Sequence, residues 1–167
     1  MKLLGLATLL IGATLGQFSG VLPKGYRVPI ESDYIDDWKA FRKELPEPFV
    51  AGGDFNNDGA TDEAWLLPGT FGGFGLFAFM GSADGAGSVV RLAGAKELKA
   101  QWYGIETVLP GQYKTACGKG YWACEPGEPA ILTLTAPAIL FQRFESSSSI
   151  FWWNAGSGRF TRTWISD

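Results

Sequence analysis

The feature that most constrains this chain is the acidic loop, Asp54 to Asp62, which stands between two apolar stretches typical of β-strands. Its sequence, Asp-Phe-Asn-Asn-Asp-Gly-Ala-Thr-Asp, places oxygen-bearing side chains at positions 1, 3, 5 and 9 of the loop. Gly59 at position 6 permits a sharp turn. Because calcium is coordinated by about six to eight oxygens, the loop predicts a calcium site between two strands. The expected ligands are Asp54, Asn56, Asp58, the carbonyl of Ala60, and Asp62, with water completing the shell.

The acidic loop is not an EF-hand, because Trp65 stands at position 12, where that motif needs a bidentate glutamate. From Gly53 to Trp65 the chain resembles the FG-GAP and VCBS class of calcium loops, in its ligands, its glycine and its strand flanks. The resemblance implies a metal site but not the propeller fold, since propellers repeat this unit and the chain has it once. The alternative is an empty turn held by the hydrogen bonds of aspartate and asparagine side chains.

The N-terminal segment predicts export. Lys2 supplies a positive start, Leu3 to Leu15 is mostly apolar, and the small residue Gly16 suits a cleavage site. We expect a signal peptide over residues 1–16 and a single mature domain over residues 17–167, periplasmic or secreted. A buried N-terminal helix is the alternative.

The chain is also similar to small bacterial exported proteins that combine an acidic loop with a Cys-Gly-Lys-Gly-Tyr-Trp segment, a similarity that implies no activity.

The two cysteines, Cys117 and Cys124, stand close together in the sequence. An isolated pair in an exported protein usually forms a disulfide, so we expect a structural staple, with two free thiols as the alternative. Tyr121 and Trp122 lie inside this loop. Because rigidly held loops often carry recognition, these two aromatic residues are candidate binding residues.

The remaining pattern predicts an α+β fold that is mainly antiparallel sheet, with one N-terminal helix. Tyr34, Trp38, Phe41 and Leu45 recur at three- and four-residue steps and predict a helix over Glu31 to Leu45, capped by Ser32 or Asp33. The last forty residues predict a meander of four strands. The expected strands after the helix are 49–51, 63–67, 76–80, 89–92, 105–109, 113–116, 130–135, 139–144, 150–153 and 160–165.

The composition excludes or disfavours several classes of function. The chain has no histidine, so a Ser-His-Asp or Cys-His arrangement cannot form. Its formal charge is −3, without a long basic run, which disfavours nucleic acid. A glycosidase could still use paired carboxylates, but no pair here has a diagnostic spacing. The candidates are Glu63, Glu106, Glu125, Glu128 and Glu145.

We therefore expect an exported, non-catalytic protein-binding domain of the inhibitor or immunity type, with a structural calcium ion and another protein as its partner. The alternative is a calcium-dependent module that binds carbohydrate or the cell envelope. This second hypothesis rests on the acidic loop and on aromatic residues crowded into the last 27 positions, which could stack on sugar rings if one face were exposed.

Overall fold

The computed structural model describes residues 20–85 and 87–167. In these ranges the protein is mostly antiparallel β-sheet, with few helical residues and one short α-helix. The predicted signal peptide lies outside the described residues. Within them, no helix is long and apolar enough to cross a membrane.

The elements follow the predicted strands closely. The helix is α1 (Asp36–Ala40), and the strands are β1 (Val50–Gly53), β2 (Asp62–Pro68), β3 (Phe74–Met80), β4 (Ser88–Ala95), β5 (Tyr103–Val108), β6 (Gly111–Lys114), β7 (Ile131–Leu134), β8 (Ala138–Arg143), β9 (Ser148–Asn154) and β10 (Arg159–Ser166). Single 3-10 turns form at Glu31–Asp33, Ala100–Trp102 and Cys117–Lys119.

Two four-stranded sheets and a two-stranded ribbon arise from these strands. The first sheet has the order β1-β2-β3-β4, and the second has the order β10-β9-β8-β5. The ribbon joins β6 to β7. The predicted C-terminal meander is therefore correct for β8, β9 and β10 but wrong for β7, which pairs with β6 because the chain returns past the disulfide loop.

The main core lies between the two sheets. Trp38, Phe49 and Trp65 are almost fully buried there, and the indole nitrogen of Trp38 donates to the carbonyl of Tyr103 at 2.7 Å. Burying an aromatic or aliphatic side chain of this size contributes about 1.5–3 kcal/mol. A second core, around Leu132 and Ile150, lies between the ribbon and the other face of the second sheet. The second sheet is thus covered on both faces.

The two sheets meet along one side only. The amide of Ile105 in β5 donates to the carbonyl of Pro48 at 2.8 Å, just before β1. The hydroxyl of Thr107 exchanges hydrogen bonds with the backbone of Gly52. On the opposite side, β4 and β10 are the outer strands of their sheets and do not pair with each other in the described part of the chain. This open side creates two concave surfaces.

The helix prediction over Glu31 to Leu45 is wrong in extent. The chain forms a 3-10 turn, breaks, and then forms α1, in which Asp36 has a positive φ of 48°. Asp33 does not cap the helix. Its carboxylate instead pairs with Arg27 at 2.6 Å and accepts from the amide of Ile30 at 2.8 Å, which holds the backbone in the tighter turn.

The apolar stripe of the predicted helix still faces the interior. Tyr34 and Trp38 are buried, and the ring of Phe41 stacks on Phe144 with centroids 4.8 Å apart. The periodicity therefore indicated the right face, although the continuous helix does not form.

Candidate functional site

The acidic loop folds into a tight turn whose side chains bind its own backbone. The carboxylate of Asp54 accepts from the amides of Asp58 at 3.0 Å and Gly59 at 2.8 Å. The side chain of Asn56 donates to Asp58 at 2.8 Å, and Asp58 accepts from the amide of Ala60 at 2.8 Å. Gly59 has a φ of 89°, a conformation that favours glycine. Three of the predicted ligands therefore gather at one turn.

Asp62 has a different position from the other predicted ligands. Its carboxylate is fully buried, and its two oxygens accept from the amides of Phe55 and Gly81, each at 2.8 Å. Burial raises the pKa of Asp62, the two amides lower it, and the charges of Asp58 and Asp54 raise it again. Asp62 thus ties the start of the acidic loop to the end of β3.

These contacts are compatible with a cation but do not require one. Within the described ranges, no group of three or more histidine, cysteine, aspartate or glutamate side chains forms a metal-binding cluster. A carboxylate oxygen that accepts one N–H keeps a second lone pair, so the same turn has acceptor capacity left for a metal. The calcium site stays a prediction.

The predicted disulfide is confirmed. Cys117 and Cys124 are bonded, with Cα atoms 4.9 Å apart, and we call residues 117–124 the stapled loop. The loop is anchored closely: a Cβ atom added to Gly118 would lie 1.9 Å from the carbonyl oxygen of Ala130. The amine of Lys119 donates to the carbonyl of Ile165 in β10 at 2.9 Å. The stapled loop is therefore fixed against the edge of the second sheet.

The two candidate binding residues of the stapled loop differ in exposure. Tyr121 is 55% exposed and points into solvent. Trp122 is half-buried, and its indole nitrogen donates to both carboxylate oxygens of Glu128 at 3.2 Å. Glu128 also accepts from the amide of Glu125 at 3.2 Å. The orientation of the Trp122 ring is thus fixed before any ligand arrives.

Trp122 forms one wall of a groove of about 660 Å³ between the stapled loop and β10. The opposite wall includes Trp152, whose indole nitrogen donates to the hydroxyl of Thr163 at 3.0 Å. The groove is lined by Trp122, Glu125, Pro126, Gly127, Glu128, Pro129, Trp152, Asn154, Thr161, Arg162, Thr163 and Trp164. The sequence indicated Trp122 but gave no signal that it lines a groove together with Trp152 and Trp164, since that depends on how β9 and β10 pair.

The groove runs along the free edge of β10. The amide of Ala116 donates to the carbonyl of Trp164 at 2.8 Å, so the backbone of Trp164 points away from β9. Backbone groups of alternate residues in a strand point the same way, so those of Arg162 and Phe160 also face outward. In the described chain, no backbone hydrogen bond from another segment reaches these two residues on that side.

The acidic loop and the groove are separate. Among the residues that line the groove in the described structure, none comes from the acidic loop.

No family model, no curated protein and no solved structure matches this chain. The groove and the acidic loop must therefore be interpreted from their own chemistry.

Proposed function

We propose that this protein is an exported, non-catalytic binding domain of the inhibitor or immunity type, which captures an extended segment of another protein in the groove. The observation that carries the proposal is the groove itself, where the edge of β10 at Phe160 and Arg162 has no backbone partner in the described chain and lies near Trp122 of the stapled loop and Trp152 of β9. An extended peptide that adds to a sheet edge gains backbone hydrogen bonds, and adjoining pockets then select its side chains.

The walls of the groove suit a protein partner. Tryptophan is enriched at the centres of protein interfaces, because it buries a large apolar area and still offers one polar group. The rings of Trp122 and Trp152 are already oriented by Glu128 and Thr163, which reduces the ordering cost of binding. The outward backbone of Arg162 and Phe160 offers the hydrogen bonds that an added strand needs.

In this proposal calcium is structural. It would neutralise the carboxylates of Asp54, Asp58 and Asp62, and so stabilise the turn between β1 and β2. The acidic loop lies away from the groove lining, which supports a role in stability over a role in contact with the partner.

Two of the candidate carboxylates have structural partners, which supports a non-catalytic role. Glu128, in the groove, accepts hydrogen bonds from Trp122 and from the amide of Glu125 and so holds the wall. Glu106, another candidate, accepts from the side chain of Gln142 on the second sheet. Both carboxylates therefore have partners within the protein, and these contacts indicate no catalytic role.

Site-specific photo-crosslinking tests the proposed function. A photoreactive phenylalanine analogue replaces Tyr121, which is exposed beside the groove, and the tagged full chain is irradiated in cells. A discrete crosslinked protein is expected, and Trp122→Ala should reduce its yield at least fivefold. The analogue at Phe71, which is fully exposed in the turn between β2 and β3, is the matched control. Equal crosslinking from both positions, or no dependence on Trp122, would contradict capture in the groove.

A carbohydrate is the second candidate, because the groove combines tryptophan rings with Asn154 and two carboxylates. Sugar rings stack on tryptophan faces and use such polar groups for hydrogen bonds. A glycan array separates the two proposals. Binding that disappears with Trp122→Ala and with chelation of calcium would favour the carbohydrate module, whereas a clean array with a retained crosslink would exclude it.

A further inference from the structure

A second concave surface, the cleft, lies on the open side between β4 and β10. It has a volume of about 370 Å³. Its floor consists of buried rings: Tyr103 stacks on Phe141 with centroids 5.2 Å apart, and Phe74 lies 4.6 Å from Tyr103. One rim includes Ala93 to Ala95, and the other includes Arg143, Arg162 and Trp164.

Arg162 is the central polar group of the cleft. Its guanidinium lies 4.0 Å from the ring of Trp164, 5.3 Å from Phe151 and 5.6 Å from Phe141. Its Nε donates to the hydroxyl of Ser149 at 2.9 Å. These contacts fix the plane of the guanidinium, while its two terminal nitrogens form no hydrogen bond within the described residues.

The lining of the cleft is positively charged. It includes two arginines, and in the described chain it contains no aspartate or glutamate. The guanidinium of Arg143 lies 6.0 Å from the ring centroid of Trp102 and forms no ion pair with a described carboxylate within 4.0 Å. Burial raises the pKa of Asp37 and Arg143 lowers it to a smaller extent, so this carboxylate lies near Arg143 but outside the lining. Two arginines therefore line one cleft in a protein whose formal charge is −3.

We propose that the cleft binds a small amphiphilic carboxylate, with its carboxylate held by Arg162 and Arg143 and its apolar body packed on the aromatic floor. The planar fork of a guanidinium matches a carboxylate through two parallel hydrogen bonds. The volume is at the lower end of the range of small-molecule pockets, about 300–1,000 Å³, which have mostly apolar walls and few polar groups. The apolar floor selects against small hydrophilic anions.

Isothermal titration with three probes tests this proposal on the full chain. The probes are 4-phenylbutyrate, its neutral amide, and inorganic phosphate. Binding of 4-phenylbutyrate is expected, with the amide and phosphate at least tenfold weaker. Arg162→Gln and Arg143→Gln should each weaken the carboxylate at least tenfold, and Arg162→Lys should restore only part of the loss, since lysine lacks the planar fork. Arg159→Gln, an exposed arginine on the same strand and outside the cleft lining, should bind like the unaltered protein.

Several outcomes would overturn the proposal. Equal affinity for the acid and the amide would mean that the arginines do not hold the carboxylate. Phosphate binding as tight as 4-phenylbutyrate would mean that the aromatic floor contributes nothing. No binding of any probe would leave Arg162 as an inward charge that protects an edge strand from pairing with other chains. Arg143 lines the cleft and not the groove, and Trp122 lines the groove and not the cleft, so variants at these residues separate the two proposals.

Discussion

At the scale of single residues, Asp62 is expected to stabilise the fold with or without metal. Its two oxygens satisfy the amides of Phe55 and Gly81 in a buried position. Because each unsatisfied buried donor costs about 1–3 kcal/mol, Asp62→Ala should lower the free energy of unfolding by about 2–4 kcal/mol in the presence of chelator. Urea denaturation measures this change. A loss below about 0.5 kcal/mol, the scale of an ordinary surface substitution, would show that Asp62 is not a structural tie.

Substitution of Asp58 distinguishes a calcium-bound loop from an empty turn. If calcium binds as proposed, a concentration roughly tenfold above a Kd of about 10⁻³ M adds about 1.4 kcal/mol and raises the Tm by about 3–6 °C. The shift between calcium and chelator should disappear in Asp58→Ala and persist in Glu97→Ala, an exposed control. An unaltered protein that melts at the same temperature in both conditions contains an empty turn.

The pair of Arg27 and Asp33 gives a pH dependence. The hydrogen bond from Arg27 is the largest effect on Asp33 and lowers its pKa, against a smaller opposing effect of burial. A carboxylate with a lowered folded pKa stabilises the fold above its unfolded pKa of about 3.9, and this stability is lost as the pH falls through the folded pKa. The stability difference between the unaltered protein and Asp33→Asn should therefore be constant near neutral pH and shrink below about pH 4. In an Arg27→Gln background the difference should already be small at pH 7, as a double-mutant cycle would measure.

At the scale of elements, strands were predicted well and the helix poorly, for a physical reason. Most strands carry apolar residues at the two-residue spacing of a half-buried sheet or form a short apolar run between turn residues, and both signals are local. The helix pattern is local too, but Arg27, which lies just before the predicted helix, pairs with Asp33 and tightens the first turn. A contact from outside the periodic segment can override a weak helix preference.

The groove and the cleft could not be predicted, because they depend on which strands pair, and the sequence carries no local signal for that pairing. β5 pairs with β8 and not with β6, although Pro110-Gly111 between β5 and β6 is a turn signal. That choice places β10 at the outer edge of the second sheet. Trp122 was identified as a candidate from its loop. Arg162 has no sequence signal, since it is an exposed strand arginine like others, and the rings beside it include Phe141 and Phe151 from other strands.

Removing the disulfide tests whether the stapled loop shapes the groove. Replacing both Cys117 and Cys124 by alanine removes a short covalent loop, worth about 2–3 kcal/mol in the chain-entropy model. The main core does not touch the loop, so the variant should still fold, with a lower Tm and a crosslinking yield from Tyr121 reduced like that of Trp122→Ala. Unchanged crosslinking in the folded variant would show that the staple does not shape the groove.

At the scale of the whole molecule, the two sheets are joined at β1 and β5 and open at β4 and β10, and this asymmetry determines where ligands can enter. The joined side buries Ile105 and is tied by its hydrogen bond to Pro48. On the open side, the groove borders the outer edge of β10, and the cleft lies between the sheets. One strand therefore contributes to two separate surfaces, with Arg162 and Trp164 lining both.

Hydrogen exchange measures whether the edge of β10 is open. The amides of Phe160 and Arg162 face away from β9, whereas those of Thr161 and Thr163 point toward it. In dilute protein, where chains do not pair edge to edge, the first two amides should exchange rapidly while the last two are protected as strongly as neighbouring core amides. Binding of an extended partner segment should then protect Phe160 and Arg162 selectively, because an added strand pairs with them alone on this strand. Equal protection of all four amides in the free protein would mean that the edge is already covered, and the groove could not accept a strand.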